Sequence, residues 1–323
     1  MVYFRIIFLT LFFISCNSKN RDLKFLPSSN GNIKNITVII DDKDKNGNIG
    51  KSIRENFQKP FEGLPFDEPE FTLNYMTPSA FKGFFRNSRN IIVVDRNIEN
   101  VQNKVIKDMY AKPQIVALIT GQDENKIIDL IKKESQYLVR LFNENEFKEK
   151  KRRIIKDLHK EKNLSQKFNI NLIYPSAYKT VKDTSNFLWI EKKISNGTLN
   201  IILYSLSINN KFKNTPQKIL NIRDSIGNLY VPGRIEGSYM ITERAYRPYY
   251  YKSEILGREL YITKGTWEVK NDFMAGPFLN FRIKDTTNKR WLIAEGFTFA
   301  PSKSKRDYMF ELETILKSIT FNK

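Results

Sequence analysis

Between Asp123 and Phe168 the chain carries neither proline nor glycine. A stretch that long has no ready place to turn, because the two residues that punctuate chains are missing. Within it Ile127, Ile131, Glu134, Leu138 and Leu141 step by four, three, four and three. That spacing predicts one long helix, or two with a break at 143–145, with one polar member in its stripe. After Phe147 the stripe thins into "KEKKRRIIKDLHKEK". The plain reading is a solvated face with Glu/Lys pairs. The sharper one lays this basic segment on an anionic membrane surface.

Strand-like segments flank the helix. "NITVIID", "FTLNYM", "NIIVVD" and "QIVALIT" precede it, with a helical "NIGKSIRENFQ" between the first two. "KPFEGLPFDEPEF" is loop, punctuated by three prolines. After the long helix come "NINLIYPSAY", "FLWIEKKI" and "LNIILYSL", then a helix over "PQKILNIRDSI" with Pro216 in its first turn. "YITKGTWEVK", "PFLNFRIK" and "RWLIAEGFTFA" read as strands. The last element is an amphipathic helix with an S-x-x-D start at Ser304–Asp307 and an apolar face of Tyr308, Leu312, Ile315, Leu316 and Ile319. The class is therefore α+β with mostly antiparallel sheets. The expected organisation is a signal peptide over 1–15, a lipidated tether over 16–30, an N-terminal α+β half over 31–121, a helical connector over 122–168 and a C-terminal α+β half over 169–323.

The beginning of the sequence predicts location. Ile6–Ile14 is too short to span a bilayer and has the length of a signal-peptide core. It is followed by "FISC", a relaxed lipobox ending in Cys16, the single cysteine of the chain. Phe13 departs from the leucine common at that place, and an ordinary signal peptide with a chance cysteine is the competing reading. Lipidation of Cys16 leaves no thiol for a disulfide. No acidic cluster follows it, which favours the periplasmic face of the outer membrane. The formal net charge of +19 falls to +18 without residues 1–15. Such a charge suits an anionic envelope component, or a periplasmic protein, as partner. A secreted chain would not meet nucleic acid. Lys, Asn and Ile are abundant throughout, which AT-rich coding sequence also produces.

Motifs for chemistry are sparse. "DKDKNGNIG" places Asp42, Asp44, Asn46 and Gly47 as a calcium loop would, but position 12 is Ile53 where a bidentate Glu is needed. A polar turn is expected there, and no metal or cofactor is implied. His159 is the only histidine. Ser225 and Ser238 lack any nucleophile context and read as turn or strand serines. Strand arithmetic singles out Glu295. If "DTTNK" closes a hairpin with Ile283 opposite Trp291, one face carries Leu279, Phe281, Ile283, Trp291, Ile293, Glu295 and Phe297, joined by Trp267 and Val269. A carboxylate in that setting requires a cation or a hydrogen-bond donor. Arg306, the first arginine after the same strand, is the expected partner, and a bulge at Gly296 would instead turn the side chain out. A structural ion pair is the expected outcome. Glu295, Glu268 and Asp272 are the first candidates if the chain is an envelope hydrolase. "YRPYYY" (Tyr246–Tyr251) suits a glycan or peptide groove, or an edge of packed rings.

Several blocks carry a resemblance: "EGLPFDEPEF", "YAKPQ", "RDSIGNLYVPG", "EGSYMITERAY", "GTWEVKNDFMAGP" and "EGFTFAPSKSKRDYMFELETILKSI". Through them the chain from about Leu26 onward resembles a lipoprotein family of Bacteroidota known as a domain of unknown function (family 4837). The resemblance implies a secreted lipoprotein with this order of elements and supplies no site residues. The strands, the terminal helix and "YPSAY" are also similar to the sandwich of photosystem-assembly and nuclear-import accessory proteins. The expectation is a lipid-anchored envelope protein that binds or scaffolds without catalysis, with a carboxylate hydrolase as the alternative.

Overall fold

The computed structural model describes residues 25–159, 163–208 and 214–322. The aliphatic run NITVI forms β1 (Asn35–Ile39), followed by two short helices, α1 (Asp42–Asn46) and α2 (Asn48–Phe57). Strands β2 (Thr72–Met76), β3 (Asn90–Asp95), β4 (Gln102–Lys107) and β5 (Ile115–Thr120) complete a sheet of order β2-β1-β3-β5-β4. Its β1–β2, β1–β3 and β3–β5 pairings are parallel, and β4–β5 is antiparallel. Parallel strands covered on both faces read as unbroken apolar runs, which is how NIIVVD and IVALIT appear. The edge strand β4, QNKVIK, has the polar, lysine-bearing composition that protects an edge from pairing, so its pattern is weak.

One face of this sheet is packed by Ile49, Ile53 and Phe57 of α2 and by α3 (Glu124–Ile155). The other is covered by irregular chain, the segment 78–89 and the loop 108–114. Phe81 and Tyr110 meet edge-on at 5.8 Å beneath this cover. Helix α3 is continuous across 143–145 and is capped by Asp123, whose side chain accepts from the Lys126 N–H. Its buried seam takes Ile127, Ile131, Ser135, Leu138 and Phe142, then Asn145, Glu146 and Glu149. The predicted stripe drifts off it at Glu134 and Leu141. At 3.6 residues per turn a 4-4-3 step holds one face better than 4-3-4-3, and counting apolar residues could not select the polar members of the seam.

The second half contains α4 (Asn163–Phe168), β6 (Ile170–Asn171), β7 (Lys179–Thr184), β8 (Phe187–Ile194), β9 (Gly197–Ser207), α5 (Pro216–Tyr230), β10 (Met240–Thr242), β11 (Tyr249–Ile255), β12 (Arg258–Val269), β13 (Asp272–Asp285), β14 (Arg290–Phe299), α6 (Arg306–Leu316) and β15 (Thr320–Phe321). Eight strands form an antiparallel sheet of order β10-β12-β13-β14-β9-β8-β7, with β11 beside β10 on the outer edge of β12. β6 and β15 make a separate small pair, so "NINLIYPSAY" contributes only two strand residues. Helix α6 packs on one face of the large sheet and α5 on the other. Antiparallel pairings predominate over the whole molecule, and the class is α+β.

The register of the β13–β14 hairpin differs by one residue from the expectation. The loop is Thr286–Lys289, with Asp285 opposite Arg290 and ion-paired to it at 3.0 Å. Ile283 therefore faces Leu292 and Asn280 faces Glu295. One residue of slip exchanges faces. Leu279, Phe281 and Ile283 lie under α6, whereas Trp267, Val269, Trp291, Ile293 and Phe297 join the core under α5. No bulge occurs at Gly296. A Cβ there would stand 2.9 Å from Cβ of Leu312, so this glycine lets α6 approach the sheet.

The two halves are joined through the loop after α2. The S-x-x-D start does not cap α6, which begins at Arg306. Its first N–H groups are met by Glu68 of the other half, which accepts from Lys305 N at 2.7 Å and Arg306 N at 2.8 Å, and from the Ser304 hydroxyl. Phe61 and Leu64 of the same loop enter the core of the second half. Phe147 of α3 stacks on Phe310 of α6 at 4.5 Å, and Lys150 of α3 pairs with Glu311 of α6 at 2.7 Å.

Candidate functional site

Between these joining contacts lies an open cavity of about 1130 Å³, slightly larger than the usual ligand pocket. One wall is a face of α3, where Lys133, Tyr137, Arg140, Glu144, Phe147 and Lys148 recur at helical spacing. The opposite wall is Phe310, Glu313 and Lys317 around α6, with Lys264 of β12. Lys59, Phe61 and Glu62 of the joining loop close one side. Seven cationic side chains line the cavity against four carboxylates.

These cations fall into two groups. Lys264 and Lys317 flank Glu313 at 3.6 and 2.8 Å. Burial pushes the Glu313 carboxyl up, but the two lysines outweigh it and hold it down at about 2. Lys317 also lies 3.7 Å over the Phe147 ring. At the floor, the Lys34 ammonium pairs with Glu70, donates to Asn143 Oδ1 at 2.5 Å and sits 4.2 Å from the centre of Phe71. Burial pulls its pKa below the ordinary lysine value, and Glu70 only partly opposes this. Lys34 adopts a left-handed φ of 62°, and its N–H donates to buried Glu146 at 2.9 Å. Lys59, Lys133, Arg140 and Lys148 form the second group. They are exposed and make no ion pair among the described residues.

The carboxylates singled out from sequence are not brought together. Glu295 is fully buried on the α5 side of the sheet. Arg223 of α5 is its cation, with Nη2 at 2.8 Å and Nε at 2.9 Å, and Asn280 donates at 2.8 Å. Arg306 is instead engaged by Asp307, Pro69 O and Thr72. Helical periodicity cannot foresee Arg223, because an arginine on an apolar helix face reads as exposed. Glu268 points to the other face of the sheet, where its side chain is hydrogen-bonded to Glu243. Burial first, and then Glu243, raise the pKa of Glu268. The Ala245 N–H, and then the hydrogen bond with Glu268, lower that of Glu243. Asp272 is held by Arg234 through two contacts of 2.7 and 3.0 Å. Asp44 of the calcium-like stretch lies in α1, a short helix where a turn was expected, and pairs with Arg96 at 2.9 Å. Among the described residues no group of three or more His, Cys, Asp or Glu side chains is placed to hold a metal ion. His159 stacks on Tyr174 at 4.5 Å. Ser225 lies within α5, where its hydroxyl donates to Asn221 O, and Ser238 donates to Ile235 O. Tyr249 and Tyr251 stand exposed on edge strand β11, and Tyr251 donates to Glu62 at the cavity rim. Cys16 lies outside the described residues.

Residues 157–318, just over half of the chain, match the family described as Domain of unknown function (DUF4837). The chain belongs to this family. Residues 29–155 match a second description, Domain of unknown function (DUF8532). The DUF4837 match thus begins just after α3 ends, and the cavity lies between the two matched regions. No curated protein matches the chain. Three solved structures are similar to part of it. LpqN of Mycobacterium tuberculosis, described as involved in cell envelope biogenesis, is 13% identical over 48% of this chain and 83% of its own, with a TM-score of 0.30. Cyanobacterial PsbP (CyanoP) of Synechocystis sp. PCC 6803 is 10% identical over 47% and 86%, with a TM-score of 0.32. The Ran-binding protein Mog1p of Saccharomyces cerevisiae is 9% identical over 47% and 90%, with a TM-score of 0.31.

Sequence reasoning missed the cavity because its walls come from four distant segments. One signal was present: the α3 face Lys133–Tyr137–Arg140–Lys148 repeats at helical spacing opposite the buried seam. Fixed positive charges beside aromatic rings can hold an anion that also carries an apolar or ring-shaped part.

Proposed function

We propose that this protein is a lipid-anchored envelope protein, held through Cys16 on the periplasmic face of the outer membrane, that binds an anionic envelope component in the cavity between its halves without transforming it. The observation that carries the reading is the second group of cations. Four exposed positive side chains line one cavity without an ion pair among the described residues, and the cations of the lining outnumber its carboxylates by seven to four. No described helix is long and apolar enough to cross a membrane, so attachment by a lipid is compatible with the fold. Cys16→Ala is expected to abolish radiolabelled palmitate incorporation and to release the protein from membranes; persistent label would end the anchor reading. Lys59→Glu, Lys133→Glu, Arg140→Glu and Lys148→Glu combined should leave the melting temperature nearly unchanged, because the side chains are exposed. The combined variant should fail to restore a deletion strain, and full restoration would remove the cavity from the account.

A second reading rests on Glu243 and Glu268, two neighbouring carboxyls whose pKa values are pushed apart, as acid–base pairs require. It makes the protein an envelope hydrolase. Loss of complementation in a stable Glu268→Gln variant, with the four-cation variant active, would favour it.

A further inference from the structure

The irregular cover on the first sheet turns two rings inward and others out. Phe81 and Tyr110 are packed, whereas Phe84 and Phe85, in the 3-10 turn Gly83–Asn87, are 72% and 52% exposed. Met109, in the neighbouring loop, is also exposed. Phe25, at the start of the described chain, is 93% exposed. The backbone brings these residues to one surface. Lys112 N donates to Pro27 O at 2.9 Å, Ser29 N donates to Lys112 O at 3.1 Å, and Asn30 Nδ2 donates to Phe84 O at 3.2 Å. Lys82, Arg86 and Lys112 are exposed in the same two segments, and Asp108 is their only acid. Exposed phenylalanines cost solubility and do nothing for the core beneath, so a cluster of them beside cations indicates a surface that is covered in use.

We infer that this patch rests on the anionic phospholipid surface of the membrane and fixes the orientation of the protein on it. Two observations select a bilayer as the occupant. Eight residues, 17–24, lie between Cys16 and Phe25, so over nine steps of ~3.3–3.6 Å the anchor keeps this surface within roughly 30 Å of the lipid. The three cations complement anionic headgroups while the rings enter the headgroup–acyl boundary, to about 5–10 Å. A comparable exposed group, Leu229, Ile235 and Phe273 of the second half, has no such link to the chain start. The inference rests on the lipid anchor proposed above.

The test uses mature protein extracted from membranes and reconstituted into phosphatidylglycerol–phosphatidylethanolamine vesicles with brominated acyl chains. Trp189, Trp267 and Trp291 are packed in the second half, so wild-type fluorescence should be nearly insensitive to bromine. The tryptophan added by Phe84→Trp should be quenched about twofold, and that added by Leu229→Trp should not. Phe84→Trp fluorescence as unquenched as wild type, on vesicle-bound protein, overturns the inference. So does Phe84→Trp shielding that appears without vesicles and grows with protein concentration, which would mark a second copy as the occupant. Failure of the anchor itself reads differently: no palmitate on the wild type and no recovery with floated vesicles.

Discussion

Among the described residues each half of the molecule buries one arginine–glutamate pair, and the two pairs do different work. In the first half Glu146 of α3 accepts from Arg89 at 2.8 and 3.1 Å, from Asn90 at 2.6 Å and from the Lys34 N–H. The other donors of Arg89 go to backbone carbonyls of the incoming chain, with Asn32 O at 2.7 Å and Gly31 O at 3.3 Å. In the second half, among the described residues, Glu295 accepts from Arg223 and Asn280 only. Arg223 completes its shell with Thr242 Oγ1 at 3.0 Å, Met240 Sδ at 3.5 Å and the Phe278 ring at 3.9 Å. The first pair ties irregular backbone to a helix and a strand, and through Lys34 it sets the floor of the cavity. The second ties one regular element, α5, to the sheet. A buried charge is tolerable where its partners are complete, and the pair with more backbone partners has fewer substitutes.

The largest effect should follow Glu146→Gln. It strips the neutralising charge from buried Arg89 and a partner from the strained Lys34, so a loss of about 3–5 kcal/mol in urea unfolding is expected. Glu295→Gln should cost about 2–3 kcal/mol, since fewer donors depend on this carboxylate and Arg223 keeps Thr242, Met240 and the Phe278 ring. Complementation should survive this change, and its loss in a folded variant would make Glu295 functional. A cost for Glu295→Gln equal to or above that of Glu146→Gln would break the comparison.

The acid response probes the cavity itself. The folded-state pKa of Glu313, about 2, lies below its ordinary 4.5, so its contribution is complete above pH ~4.5 and is lost as pH falls toward 2. Allowing for partial contact with solvent, the loss is on the order of 2 kcal/mol. It should disappear in Glu313→Gln, as read from stability measured against pH. The smallest effect is expected from Glu68→Ala. It removes the acceptor at the start of α6 and should cost about 1 kcal/mol in thermal melts.

What could be read beforehand followed from local pattern. Periodicity located α2, α3, α5 and α6, and β-branched runs located the inner strands of both sheets. The hairpin register was lost to a single residue: a four-residue loop closed by Asp285–Arg290 leaves almost no trace in composition. Glu295 was recognisable as a carboxylate in need of a cation, but its partner lay 72 positions upstream on a helix. The cap on α6 was misplaced for a similar reason, since Glu68 is 237 positions from Lys305. Glu146 and Glu149 stayed hidden because a buried acidic seam and a solvated one have the same spacing.

The cavity is most directly tested by a photo-crosslinkable residue in place of Tyr137, irradiated in living cells, with a second one in place of Tyr249 on β11 for contrast. The account predicts that the probe at Tyr137 captures an anionic envelope component and that Lys133→Glu with Arg140→Glu abolishes the capture, while the probe at Tyr249 does not capture the same component. Capture at Tyr249 alone, or capture at Tyr137 that survives both charge reversals, would contradict it.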